Sequence, residues 1–258
     1  MNKGVLVLAA CVVERCEGLR GERRRGRGHP RADTVRVLAT LRRFLREGTP
    51  WRGLRASKEQ ASGSTLRRTL ARWAETDVLG RAHAMMVDLL RRPGPDLIVD
   101  SSSVRAKRGG ALTGPNPTDR GKQGTKYHVA VTRDGLPVAC AATGANVPDT
   151  ALFERLFRAA LRVMGRGRLR TALADRGYDA EHHRALCRDH GVRPRIGKRK
   201  TKHGSGLGKR RWPVERTNAW LLENRRLALR YDRLNFVITS LLQAACLLMV
   251  APRLAREL

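Results

Sequence analysis

Residues 97–104, LIVDSSSV, run from three branched apolar residues into Asp100 and then into serines. A short apolar run of this kind predicts a buried strand. Residues 169–175, LRTALAD, repeat the design, with Asp175 closing the run. Between them lie KYHVAVT (126–132) and LPVACAAT (136–143), two strand-like runs joined by Arg133-Asp134-Gly135, a hairpin-type turn. DTALFERLFRAALRVM (149–164) and DAEHHRALCRDH (179–190) read as helices, with Asp149 and Asp179 as their caps. VRPRI (192–196) reads as a last short strand, and WPVERTNAWLLENRRLA (212–228) as a long helix before an apolar C-terminal one. This order predicts a mixed α/β domain over 96–258.

Upstream of Pro93 and Pro95 the pattern is helical. Residues 33–47, DTVRVLATLRRFLRE, place Val35, Val37, Leu38, Leu41, Phe44 and Leu45 at helical spacing with arginines opposite. Asp33 is the expected cap, and Gly48 and Pro50 the stop. STLRRTLARWAE (64–75), capped by Ser64, and residues 80–91 predict two more helices. Three short helices with arginine-rich faces fit a small all-α, helix-turn-helix-like DNA-binding domain over 23–92. A plain helical bundle with solvated arginines shows the same pattern. Residues 1–22 are an atypical N-terminal segment. LAAC before Cys11 looks like a lipoprotein cleavage box, but one lysine and a short apolar run make a poor signal, and a short helix or strand is expected. Residues 21–31, GERRRGRGHPR, read as a basic arm. The run VITSLLQAACLLMVAP (237–252) is short for a membrane span and reads as a buried core helix.

The 258 residues hold 53 Lys+Arg against 23 Asp+Glu, a formal charge of +30, which calls for a polyanionic partner, most simply nucleic acid. Only nine of the basic residues are lysine. Arginine's planar fork suits phosphate and guanine edges, though arginine enrichment also follows from GC-rich coding. Five irregularly spaced cysteines suggest no disulfide framework and fit a reducing cytoplasm. Cys187 with His182, His183 and His190 could be drawn as a zinc cluster, but an ordinary helix with outward histidines accounts for them better.

In so basic a chain, three acids stand out. Asp100 and Asp175 close apolar strands, and Glu215 lies in the helix RRWPVERTNAWLLENRR (210–226). A carboxylate at a strand end is anchored yet reaches solvent, and hard cations such as Mg2+ and Mn2+ favour such oxygens. Each acid also has a plainer reading. Asp100 can cap a turn before Ser101–Ser103, Asp175 can make a turn with Arg176-Gly177, and Glu215 can pair with Arg211 or Arg216.

Several ordered blocks, RGRGHPRADTVRVLATLRRFLREGTPWRGL, STLRRTLARWAETDVL, LIVDSSSVRAKRGG, GTKYHVAVTRDGLPVACAATGANVPDT, ALADRGYDAE and RRWPVERTNAWLLENRRLALRYDR, resemble bacterial insertion-sequence transposases of the Asp-Asp-Glu type, in particular the insertion-sequence-five family. The resemblance runs from about Arg23 to about Leu254. It implies a ribonuclease-H-like catalytic domain, a mixed sheet flanked by helices. It matches Asp100, Asp175 and Glu215 to the catalytic, metal-binding triad, with two Mg2+ or Mn2+ ions. The implied activity is cleavage of element ends and joining of the 3′ hydroxyl to target DNA. The implied partners are terminal inverted repeats and target duplex bound by a homodimer, with no membrane. The family's signature around the glutamate is tyrosine, two residues, arginine, three residues, glutamate, six residues, lysine. Arg211 and Glu215 fit it, while Gly208 and Leu222 stand at the tyrosine and lysine positions. Arg226, eleven residues after Glu215, would share its helix face and is the expected substitute for the lysine.

Residues 193–211, RPRIGKRKTKHGSGLGKRR, carry nine Lys/Arg and no acid, and lead into the Glu215 helix. Interrupting glycines predict a loop, and its position predicts DNA contact through Lys198, Arg199, Lys200, Lys202, Lys209, Arg210 and Arg211. Arg67 and Arg68 are the expected contacts of the N-terminal helices. Trp212 and Trp220 could stack on a base, though core packing is the expectation for Trp220. A serine nucleophile among Ser101–Ser103 lacks a neighbouring base. Two other readings stay open: a nuclease that cuts without joining, and a non-catalytic DNA-binding remnant.

Overall fold

The computed structural model describes residues 2–18, 31–90, 96–165, 167–200 and 207–258; the basic arm, apart from Arg31, and Lys202 lie outside them. The first helix, α1 (Lys3–Gly18), buries Val5, Ala9, Val13 and Cys16 at helical spacing and leaves Cys11 exposed. α2 (Thr34–Glu47) starts where Asp33 accepts a hydrogen bond from the Arg36 N–H at 2.8 Å and stops at Gly48, whose φ of 68° suits glycine. α3 (Gly63–Glu75) is capped by Ser62, not Ser64, because the Ser62 hydroxyl accepts from the Thr65 N–H. α4 (Val78–Leu89) follows at once.

The sheet comprises β1 (Asp96–Arg105), a two-residue β2 (Gly114–Pro115), β3 (Gln123–Thr132), β4 (Pro137–Gly144), β5 (Thr171–Ala174) and β6 (Arg193–Ile196). β1 is central, antiparallel to β3 and parallel to β5, with β4 outside β3 and β6 outside β5. The result is a mixed sheet flanked by helices, with strand order β4-β3-β1-β5-β6. The β3–β4 turn is the Arg-Asp-Gly hairpin, with Gly135 at φ 78°. α5 (Thr150–Met164) and α6 (Glu181–Asp189) flank β5 in sequence, and α7 (Leu207–Leu222) starts five residues before Trp212. A four-residue α8 (Arg225–Ala228) separates α7 from α9 (Asn235–Glu257).

α9 is buried almost all round at its centre, from Val237 to Leu254, and packs against α1, α2, α3, α4 and β4. It is long and apolar enough to cross a membrane, but here it is the core helix of the fold. One continuous apolar cluster therefore joins the N-terminal helices to the sheet. A second tie is polar. The buried Arg226 pairs with Asp232 through two hydrogen bonds of 2.9 and 3.2 Å, while Asp232 accepts from the Trp51 indole at 2.8 Å. The same guanidinium lies 4.3 Å from the Phe44 ring centre.

Candidate active site

The register of β1 and β5 builds the site. Leu97 pairs with Ala172 and Ile98 with Leu173, so two residues further on Asp100 and Asp175 stand abreast, facing the same way. Asp100 lies within β1, which continues to Arg105, and Asp175 follows the end of β5. The Asp175 carboxylate accepts from the Gly177 N–H at 2.8 Å. From α7, Arg211 donates to Asp100 Oδ1 at 3.0 Å and lies 3.8 Å from Asp175 Oδ2. Asn218 donates to Asp100 Oδ2 at 3.2 Å. Arg211, Glu215 and Asn218 are spaced i, i+4, i+7 and so lie along one helix face.

Burial raises the Asp100 carboxyl to about 6; Arg211 opposes the rise and the negative charges of Asp175 and Glu215 add to it. Among the described residues, no three His, Cys, Asp or Glu side chains are grouped so as to hold a metal ion as they stand. Arg211 holds the two aspartates, and Glu215 is exposed. The donor chemistry nevertheless fits a hard divalent cation: carboxylate oxygens, with a guanidinium already occupying the cationic position, and a buried Asn218 Oδ1 without a hydrogen-bond partner.

Beside this point a cavity of about 780 Å³ is lined by Ser101, Ser103, Lys126, Asp149 and Leu222 among others. Asp149 does not cap α5 with its side chain. Its carboxylate accepts from the Ser101 hydroxyl at 2.8 Å and the Lys126 ammonium at 3.0 Å. Asp179 is likewise no cap for α6; it pairs with Arg184 at 2.7 Å and accepts from the Arg199 N–H. The Tyr178 hydroxyl is buried near Asp149, Asp100 and Asp175, and burial with these charges pushes it well above the usual range. Sequence reasoning missed this group, whose signal was the Tyr in DRGYD. In α6, Cys187 is buried, and its thiol is pushed up to about 12 by burial. The His183 and His190 rings each bond a backbone carbonyl through Nδ1.

The expected DNA contacts separate. Arg67 and Arg68 are exposed on α3, and Lys198, Lys200 and Arg210 are exposed near the site. Lys209 falls in the first turn of α7. Arg199 is exposed, but its guanidinium donates to the Arg176 and Gly177 carbonyls, bracing the Asp175 turn. Arg226 cannot replace the missing lysine. α7 ends at Leu222, the chain turns, and Arg226 is buried against Asp232 and Phe44 on α8. Trp220, expected in the core, is 37% exposed.

Residues 91–250 match the family model described as the transposase DDE domain. The chain belongs to this transposase family. It is 43% identical, over 187 residues covering 69% of the chain and 89% of the relative, to a protein of Burkholderia cepacia named as a transposase for insertion sequence element IS402. The transposase also overlays a piggyBac transposase synaptic complex with hairpin DNA, at TM-score 0.48 and 10% identity, covering 98% of this chain and 73% of that one. For a pre-cleavage Mos1 transpososome the TM-score is 0.34 and the identity 13%, covering 92% and 80%. These overlays are too loose to add to the strand order above. The family and its curated relative make the chain a DNA-cleaving and strand-transferring enzyme, of a family that uses divalent metal ions.

Proposed function

We propose that Asp100, Asp175 and Glu215 hold the transposase's divalent metal, a pair of Mg2+ or Mn2+ ions, and that element ends are cut and joined there. The observation that carries this reading is the β1–β5 register, which sets two carboxylates abreast with the Arg211 cation between them. When bound, the metal supplies Lewis-acid activation of the attacking oxygen and neutralises charge on the leaving one.

The chain's own residues do the rest. Pairing with β3 and the hydrogen bond from Asn218 fix Asp100, so the carboxylate is pre-placed. Arg211, once released from Asp100, can offer its fork to a phosphate one turn from Glu215. Lys198, Lys200, Lys202, Lys209 and Arg210 hold DNA backbone at the entrance to α7, and Arg67 and Arg68 hold duplex further out. In cleavage, a water oxygen attacks the phosphorus and the 3′ oxygen leaves as a hydroxyl. In joining, that hydroxyl attacks a target phosphodiester and displaces the target's own 3′ oxygen. No covalent protein intermediate is required, and the Ser101 hydroxyl is engaged with Asp149. The DNA partners are the terminal inverted repeats and the target duplex, held by a homodimer.

A labelled element end, incubated with the transposase, Mg2+ and target plasmid, tests this. Nicked and joined products are expected. Asp175→Asn should lose both while duplex affinity stays within about twofold. Cleavage without joining, or an active Asp175→Asn enzyme, would overturn the reading.

A further inference from the structure

Trp212, Arg216 and Trp220 succeed one another at four-residue steps along α7. The Arg216 guanidinium lies 4.3 Å from the Trp212 ring centre and 4.7 Å from that of Trp220. Both indoles are exposed, Trp212 by 50% and Trp220 by 37%. Two large aromatic rings left in water make no use of their apolar area in the core. They have not collapsed onto the helix either, because a shared cation separates them. Arg216 is itself fixed: its Nη2 donates to the Asp134 carbonyl at 3.0 Å, on the β3–β4 turn. The result is a rigid, solvent-facing stack of ring, cation and ring.

Its place on the helix gives it a use. At about 100° per residue, this stripe lies about a third of a turn from that of Arg211, Glu215 and Asn218, and Glu215 is the site residue nearest to it. The Trp212 end is basic, with exposed Arg210 before it and exposed Arg133 on the turn that holds Arg216. The exposed acid beyond the ladder, Glu223, lies past Trp220 at the far end. A polyanion with flat π faces matches a basic surface that ends in a free indole. We propose that an unpaired base of the DNA strand at the reacting end stacks on the outer face of Trp212, extending the Trp212–Arg216–Trp220 ladder into the nucleic acid. The inference rests on the reading of Asp100, Asp175 and Glu215 as the place where DNA reacts.

The test omits metal, so that loss of stacking and loss of chemistry are separate results. Full-length protein is titrated in EDTA with two oligonucleotide duplexes, one blunt and one carrying a four-nucleotide 3′ extension that contains 2-aminopurine. Wild type should bind the extended duplex more tightly and quench the 2-aminopurine. Trp212→Ala should weaken binding of the extended duplex about tenfold, leave the blunt duplex within about twofold, and abolish the quenching. Trp212→Phe should restore most of the affinity. Equal affinity and quenching in wild type and Trp212→Ala would overturn the proposal. So would an equal loss on both duplexes, or a change in sedimentation of Trp212→Ala without DNA, which would assign the ladder to contact between protein copies.

Discussion

Asp232→Ala should unfold the transposase far more readily than its single lost carboxylate suggests. Asp232 and Arg226 have side chains only 7% exposed, and each is the other's charged partner. Without Asp232, the Arg226 cation stays buried between the Phe44 ring and the Gly48 carbonyl. Removing one member of such a pair costs about 3–5 kcal/mol, because the remaining charge is neither solvated nor compensated. The lost Trp51 hydrogen bond adds about 1 kcal/mol. For a chain of this size, 4–6 kcal/mol corresponds to a Tm lower by roughly 8–24 °C. Urea unfolding followed by far-UV circular dichroism measures the free energy directly. The double variant Arg226→Met, Asp232→Leu should regain most of the loss, since apolar residues of similar volume replace a buried pair at little cost. A loss under about 1 kcal/mol for Asp232→Ala, or a double variant as unstable as the single, would refute the argument.

Divalent-ion binding should weaken about tenfold per pH unit below pH 6, where Asp100 takes up a proton, and level off above it; isothermal titration with Mn2+ between pH 5 and 8 checks this, and a flat profile contradicts it. His83 is fully buried, bonded to the Pro137 carbonyl and lowered by burial to about 4. Its folded value lies below its unfolded one, so the unfolded chain gains protons first as pH falls, and about 3 kcal/mol of stability is lost between roughly pH 6.5 and 4. His83→Gln should flatten part of that slope in pH-dependent urea melts, with His128, also lowered to about 4, supplying the remainder. Arg67→Ala with Arg68→Ala should reduce the salt dependence of duplex binding by about 1.8 in log K against log salt, read by fluorescence anisotropy; an unchanged slope would place both arginines off the DNA.

Local chemistry explains what was legible in the sequence. Alternation and apolar runs located β1, β3, β4 and β5, and the Arg-Asp-Gly turn located the hairpin, because these signals are set within a few residues. The parallel register that sets Asp100 beside Asp175 is a long-range fact, visible in the sequence only as two aspartates closing similar runs. Arg226 shows the limit most clearly. Its spacing from Glu215 fits one helix face, but the helix breaks after Leu222, and a carboxylate six residues further on draws the guanidinium inward. Ser62 displaced Ser64 as cap because Gly63 lies so close to the Trp51 carbonyl that any side chain there would clash, which fixes where α3 can begin. Asp149 looked like a cap by position, yet Lys126, twenty-three residues away in sequence, offered its carboxylate a charged partner.

The placement of α9 also sets a clock on synthesis. α1 precedes α2 and α4, two of the helices it packs against, but the third, α9, begins more than 200 residues later, at Asn235. At about 5–20 residues per second, the face that α1 turns to α9 waits roughly 10–45 s for its partner, and that of α4 roughly 7–30 s. Throughout that interval the nascent chain shows the surfaces that the finished protein hides. Its yield should therefore respond to elongation rate and to chaperone supply as strongly as to the stability of the folded state.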